Sequence, residues 1–302
     1  MHRSLSWTIF FLWIQYSLCI ILNRLEPVTF VEDSSFAWDI SGDPIVYSSH
    51  PVSQKWKVFD LTVDEFLSQF EILENVYVST NKYFTFFDEG KMEKSFFRKN
   101  FSQPFSFTRL KGTEFFKQPP LRDSEEPTYR YFFGGIAGPI FSNARPYIEP
   151  SLVHNVHGNL WMSTKDSQMP THYDNLHNVY IQLFGKKRFR LFPHTATGSL
   201  CVHGRLHPHG RQSRFRDLSS PEKVVPPNFS DLYKYDSSVA ATSSQVSSVE
   251  RDAEVLRRCS VERLEGLEVE LSPGHILSLP PYWYHEVGAA GTSHYMILPP
   301  LT

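Results

Sequence analysis

Two short blocks of this chain carry residue types that hold transition metals: Thr171-His172-Tyr173-Asp174 and, far downstream, Leu279-Pro280-Pro281-Tyr282-Trp283-Tyr284-His285. Along an extended strand, side chains at i and i+2 share a face, so His172 and Asp174 can reach one ion while Tyr173 turns away. Two imidazole nitrogens and one carboxylate oxygen on one face of an octahedron leave three positions open, the arrangement by which non-haem Fe(II) holds a co-substrate and oxygen. The residue types and spacing therefore point to an iron-dependent oxygenase. An H-x-D triplet alone is weak in a chain with 13 histidines, and the surrounding sequence has to supply the rest.

That surrounding sequence reads as strands. Asn178 to Phe184 and Lys187 to Phe192 are two apolar-rich runs broken at Gly185, and Pro193 follows them. Val269-Glu270-Leu271 leads through Ser272-Pro273-Gly274-His275 into Ile276-Leu277-Ser278-Leu279, which predicts strand, Pro-Gly turn, strand, and then a proline-stiffened corner before His285. In the basic run Lys186 to Arg190, alternation places Lys187 on the face of Phe189, an inward position, and Lys186, Arg188 and Arg190 on the other.

With both blocks in view, the run from about Tyr129 to His285 resembles the JmjC-type, cupin-like 2-oxoglutarate oxygenases, and among them the subgroup of the asparaginyl hydroxylase that acts on hypoxia-inducible factor. The shared pattern is H-Y-D, an asparagine four residues on (Asn178), Gln182-x-x-Gly185-x-Lys187-Arg188, Phe192-Pro193, and later Pro273-Gly274 through Trp283-x-His285. His275 stands where that pattern has an aspartate.

The resemblance implies a double-stranded β-helix of jelly-roll type, mainly β, with an N-terminal α/β extension. It implies Fe(II) on His172, Asp174 and His285, with 2-oxoglutarate as co-substrate, its far carboxylate on Lys187 and Tyr131 and its metal-proximal carboxylate beside Asn178. A buried ammonium needs a counter-charge, which a dicarboxylate supplies. Tyr131 also reads as an aromatic core residue with a satisfied hydroxyl. Arg211-Gln212-Ser213 resembles a loop that approaches a peptide substrate, and a solvated loop arginine is the alternative for Arg211. Met169 replaces a threonine that helps hold the co-substrate and cannot donate a hydrogen bond; the alternatives are weaker co-substrate binding or substitution by Thr171 or Ser163. After the last metal histidine the family continues through a further asparagine into helices, whereas this sequence reads to Thr302, so a shortened C-terminal region is expected. The implied activity is hydroxylation of a protein side chain, with a protein or peptide as partner. A barrel that has lost catalysis and serves as a lumenal binding scaffold is the alternative.

The expected organisation is a leader over 1–22, the extension over 23–105, and the barrel over 106–302, interrupted by a Ser-rich insertion at about 235–264. Met1-His2-Arg3 followed by the apolar run Leu5 to Leu22 reads as a signal peptide cleaved near Cys19 or as a signal anchor holding the protein at a membrane, and either places it in the secretory pathway. There Asn100 and Asn228 would be glycosylation acceptors, and Cys201 and Cys259 could pair or stay free. Within the extension, Thr62-Val63-Asp64-Glu65 is a capping-box pattern that predicts a helix over 62–74, with a strand from Asn75 to Phe87. With 41% hydrophobic and 15% aromatic residues the chain can bury a core, and a net charge of −2 argues against a nucleic-acid groove. Composition leaves the oligomeric state open.

Overall fold

The architecture is taken from a computed structural model, which describes residues 22–31, 42–47, 60–84, 106–117, 127–135, 158–203, 210–213, 215, 218, 264–290 and 293–298. The Ser-rich insertion, both glycosylation triplets, Cys259 and nearly all of the leader lie outside these residues. Among the described residues no helix is long and apolar enough to cross a membrane.

Fourteen strands are described: β1 (Leu22–Pro27), β2 (Thr29–Val31), β3 (Ile45–Tyr47), β4 (Leu73–Ser79), β5 (Ser106–Leu110), β6 (Tyr129–Gly135), β7 (Asn159–Ser163), β8 (Gln168–Tyr173), β9 (Asn178–Phe184), β10 (Lys187–Phe192), β11 (Leu264–Leu271), β12 (Ile276–Leu279), β13 (Tyr284–Ala289) and β14 (Ser293–Leu298). They form two sheets, ordered β1-β11-β10-β13-β8 and β2-β3-β12-β9-β14-β7-β6-β4-β5. The fold is mainly β with antiparallel sheets, the jelly-roll double-stranded β-helix that the sequence pattern predicts. Strands β1 and β2–β3, from the N-terminal part, add to one edge of each sheet, β4 lies between β6 and the edge strand β5, and β14 pairs with β7 and β9.

Alternation decides what each strand buries. In β9, Val179, Ile181 and Leu183 pack with Phe66, Leu67, Leu160 and Met162 on the outer side of the larger sheet. Tyr180 instead faces the interior with Phe189, Leu191, Leu277, Leu279, Met169 and Val287, which come from both sheets. This interior houses the residues with chemical potential.

The single described α-helix, α1 (Val63–Ser68), has the expected capping box, with Thr62 Oγ1 accepting from the Glu65 N–H at 3.2 Å and a Glu65 carboxylate oxygen accepting from the Thr62 N–H at 2.7 Å. It is shorter than the predicted 62–74, and Leu73 belongs to β4. The cause is a close approach: Gly112 donates its N–H to the Phe70 carbonyl at 3.0 Å, and a Cβ at Gly112 would lie 2.1 Å from the Leu67 carbonyl oxygen. The chain turns over the helix end there and leaves no room for another turn.

Beside β13 a buried ion pair ties strands together. The Glu286 carboxylate accepts from Arg190 Nη1 at 3.1 Å and from the Leu218 N–H at 3.1 Å. Arg190, which shares the face of exposed Arg188, is itself buried. Removing one partner of such a pair costs about 3–5 kcal/mol. Half-exposed Glu268 also neighbours Arg190, at 3.6 Å, so we expect Glu286→Ala to cost about 3 kcal/mol, the lower end of that range. Urea denaturation with an unchanged m-value would measure it.

Candidate metal centre

The pairing of β13 with β8 brings the two blocks together, because His285 sits directly opposite His172 in the antiparallel ladder. Directly opposed residues hold their Cβ atoms about 5 Å apart on one face, and here the two ring centroids are 4.1 Å apart. The proline corner is fixed to the same point: the Tyr282 N–H donates to the Asp174 carbonyl at 2.8 Å, with Tyr282 in the left-handed region at φ 67°. Tyr173, on the opposite face from His172 and Asp174, packs against Tyr284 at 5.2 Å.

One ligand atom from each of His172, Asp174 and His285 lies within 4.8 Å of the others. His172 Nδ1 donates to the Pro170 carbonyl at 2.9 Å and His285 Nδ1 to the Trp283 carbonyl at 3.2 Å. A carbonyl only accepts, so both Nδ1 atoms carry the proton and both Nε2 lone pairs are left for a metal. The separation of His285 Nε2 from Asp174 Oδ2 is 3.8 Å. Adjacent ligands about 2.1 Å from one ion lie roughly 3 Å apart, so this pair needs to close by less than about 1 Å, and no pair in the set of three by more than about 2 Å. The residues present fit a divalent transition metal.

Electrostatics agree. Burial and the adjacent His172 ring push the His285 imidazole well below its ordinary value, outweighing the Asp174 carboxylate and the Trp283 carbonyl, so the ring is neutral and able to coordinate. Burial would raise the Asp174 carboxyl, but the His285 and His172 rings, the Asn178 amide and the Arg211 guanidinium together hold it below the usual carboxylate range. Asn178 is committed to this carboxylate, its Nδ2 donating to Asp174 Oδ2 at 2.7 Å.

Deeper inside, Lys187 is 2% exposed on β10, and its Nζ donates across the sandwich to Ser163 Oγ on β7 at 2.7 Å. Burial pulls its ammonium down to about 7. Tyr131, 2% exposed, is the β6 residue paired with Ser163, and it packs on Phe84 at 5.1 Å. Lys187 pairs with Ala289, four residues from His285 along β13, so the cation and the metal ligands are separated by about 13 Å of strand at ~3.3 Å per residue. Met169, 7% exposed, lines the same interior, and of its two expected substitutes Ser163 is the one seen to touch Lys187.

Arg211 and Gln212 come to the metal side. Gln212 bridges His172, the Tyr173 N–H donates to the Arg211 carbonyl at 3.2 Å, and Arg211 is half-buried at φ 78°. Its guanidinium acts electrostatically on Asp174. Next to this segment Cys201 is disulfide-bonded. His275, in place of the pattern's aspartate, accepts the Ser272 N–H on its Nδ1 at 3.3 Å and so holds the Pro-Gly turn as a carboxylate would.

Two contacts were not anticipated from sequence. The Tyr180 hydroxyl lies 3.1 Å from His285 Nε2, and buried His177 is 2.8 Å from Ser278 Oγ through its Nε2. Strand alternation carries a signal for the first, since Tyr180 is two residues from Asn178 on one face of β9.

Comparison with known proteins agrees with this geometry. A family model described as a cupin-like domain matches residues 52–298. Jumonji C domain-containing protein 5 of Drosophila melanogaster is 24% identical over 133 residues, which cover 44% of this chain and 25% of that protein. The chain spans about a quarter of that relative's length. A match over most of its residues, on a jelly roll with a His-Asp-His cluster inside, places this chain in the cupin-like domain family.

Proposed function

We propose that this protein is an Fe(II)- and 2-oxoglutarate-dependent dioxygenase that hydroxylates a protein side chain, as in the asparaginyl hydroxylase subgroup it resembles. The observation that carries the reading is the convergence of His172, Asp174 and His285 on one point, with the Lys187 ammonium in the same interior. Bound Fe(II) with oxygen and 2-oxoglutarate would supply the oxidising power, the co-substrate leaving as succinate and carbon dioxide while one oxygen atom enters a C–H bond.

The chain's own part is positioning. His172, Asp174 and His285 would hold the ion on one side only, and the Pro170 and Trp283 carbonyls keep both imidazoles in the coordinating tautomer. Asn178 orients the carboxylate, while Lys187 and Ser163 receive the far carboxylate of the co-substrate beside Tyr131. Arg211 and Gln212, on the exposed side of the His172 strand, would meet the peptide. The disulfide at Cys201 supports a protein of the oxidising secretory lumen, delivered by the apolar leader.

Met169 in the interior favours a second reading, a cupin-like binding module without turnover, since a thioether gives the co-substrate no hydrogen bond. Purified protein with Fe(II), ascorbate and 2-oxoglutarate separates the two. The oxygenase reading predicts succinate formation that increases with candidate peptides and vanishes in Asp174→Ala. No succinate, together with no metal-dependent binding of 2-oxoglutarate, assigns the binding module.

A further inference from the structure

Among the described residues, the Tyr180 hydroxyl is a side-chain group within hydrogen-bond distance of a proposed ligand nitrogen that the reading above leaves without a task. It lies 3.1 Å from His285 Nε2, and the ring nitrogen on the other side, Nδ1, already donates to the Trp283 carbonyl. His285 Nε2 is therefore an acceptor and the Tyr180 O–H is the donor. This nitrogen also faces Asp174 Oδ2 across 3.8 Å. The phenol thus donates into the lone pair that an ion would take, from the floor of the interior, where Tyr180 is 1% exposed and its ring is braced edge-on against Phe189 at 5.0 Å.

We propose that Tyr180 is a positioning residue of the metal centre. It holds the His285 lone pair directed at the site while no ion is present, and when the ion takes that lone pair its hydroxyl donates to an anionic oxygen bound on the ion. The inference rests on the metal-centre reading above. When an ion takes the His285 lone pair the Tyr180 hydroxyl loses that acceptor, and an anion bound on the ion is an acceptor that binding would introduce on the same side. The bracing of the ring confines this change of partner to the O–H rotor.

The test compares wild type with Tyr180→Phe, which keeps the ring and removes only the hydroxyl. Co(II) replaces Fe(II), its binding is followed by visible absorption, and 2-oxoglutarate is then titrated into the Co(II) form. A hydrogen bond to a charged group is worth roughly tenfold in affinity or more. We expect Co(II) affinity within about fivefold of wild type and 2-oxoglutarate binding weaker by about tenfold in the variant. Equal 2-oxoglutarate affinity in the two proteins overturns the proposal and leaves Tyr180 as an aromatic core residue. Wild type that takes up no Co(II) instead overturns the metal-centre reading itself, and the two failures are distinct. A crystal structure of the wild-type Co(II)–2-oxoglutarate form tests the same point without a variant: the hydroxyl within ~3.2 Å of an oxygen on the ion supports the proposal, and a hydroxyl turned away refutes it.

Discussion

Replacing Lys187 with methionine is expected to make the ligand-free protein more stable and to abolish its binding of 2-oxoglutarate. Lys187 is 2% exposed, and burial pulls its ammonium from 10.5 to about 7. At 1.36 kcal/mol per unit that displacement is a destabilisation of roughly 5 kcal/mol below pH 7, where folded and unfolded chains both carry the proton. Between pH 7 and about 10 the unfolded chain binds more protons than the folded one, so wild-type stability rises with pH. Methionine fills a similar volume and has no charge to desolvate. The advantage of Lys187→Met should therefore be largest below pH 7, a few kcal/mol by urea denaturation, and shrink toward pH 10. A variant less stable than wild type at pH 7 would mean that the contacts of Lys187 in the ligand-free protein outweigh the cost of burying its charge. The compensating loss is of function: without the cation the far carboxylate of the co-substrate would be buried unpaired, and calorimetric titration of the metal-loaded variant should detect no 2-oxoglutarate binding.

The second large effect is expected at His172. Substitution by alanine removes one of three donors, and because even partners that merely orient a ligand are worth 10–100-fold in metal affinity, loss of a donor should cost more than 100-fold. The fold should tolerate it. His172 is only half-buried, its ring bonds to the local Pro170 carbonyl, and its backbone place in the β8–β13 ladder is unaffected. We expect a melting temperature within a few degrees of wild type and no thermal stabilisation by added Fe(II) under anaerobic conditions, where wild type should be stabilised by mass action. Full stabilisation of the variant by Fe(II) would remove His172 from the ligand set.

What was legible in the sequence is what depends on local periodicity. The i, i+2 spacing of His172 and Asp174, the break at Gly185 (φ 67°), the turn at Gly274 (φ 90°) and the capping box at Thr62 are each set within a few residues, and each is found. Alternation also placed Lys187 inward with Phe189, as observed. What was not legible arises between elements distant in sequence. The end of α1 at Ser68 depends on the backbone of Gly112, the Lys187–Ser163 bond on two strands meeting across the sandwich, and the approach of Arg211 to Asp174 on an isolated bridge to His172. Tyr180 lies in an apolar run where a tyrosine reads as core, and only the position of His285 shows what its hydroxyl touches.

The central claim is that one metal ion binds where His172, Asp174 and His285 meet. Its most direct test is a crystal soaked anaerobically with Fe(II) and measured on both sides of the iron absorption edge. The account predicts an anomalous peak within bonding distance, about 2.0–2.2 Å, of both Nε2 atoms and an Asp174 carboxylate oxygen. A site without such a peak in a fully soaked crystal, or a peak bound by other residues, would contradict it.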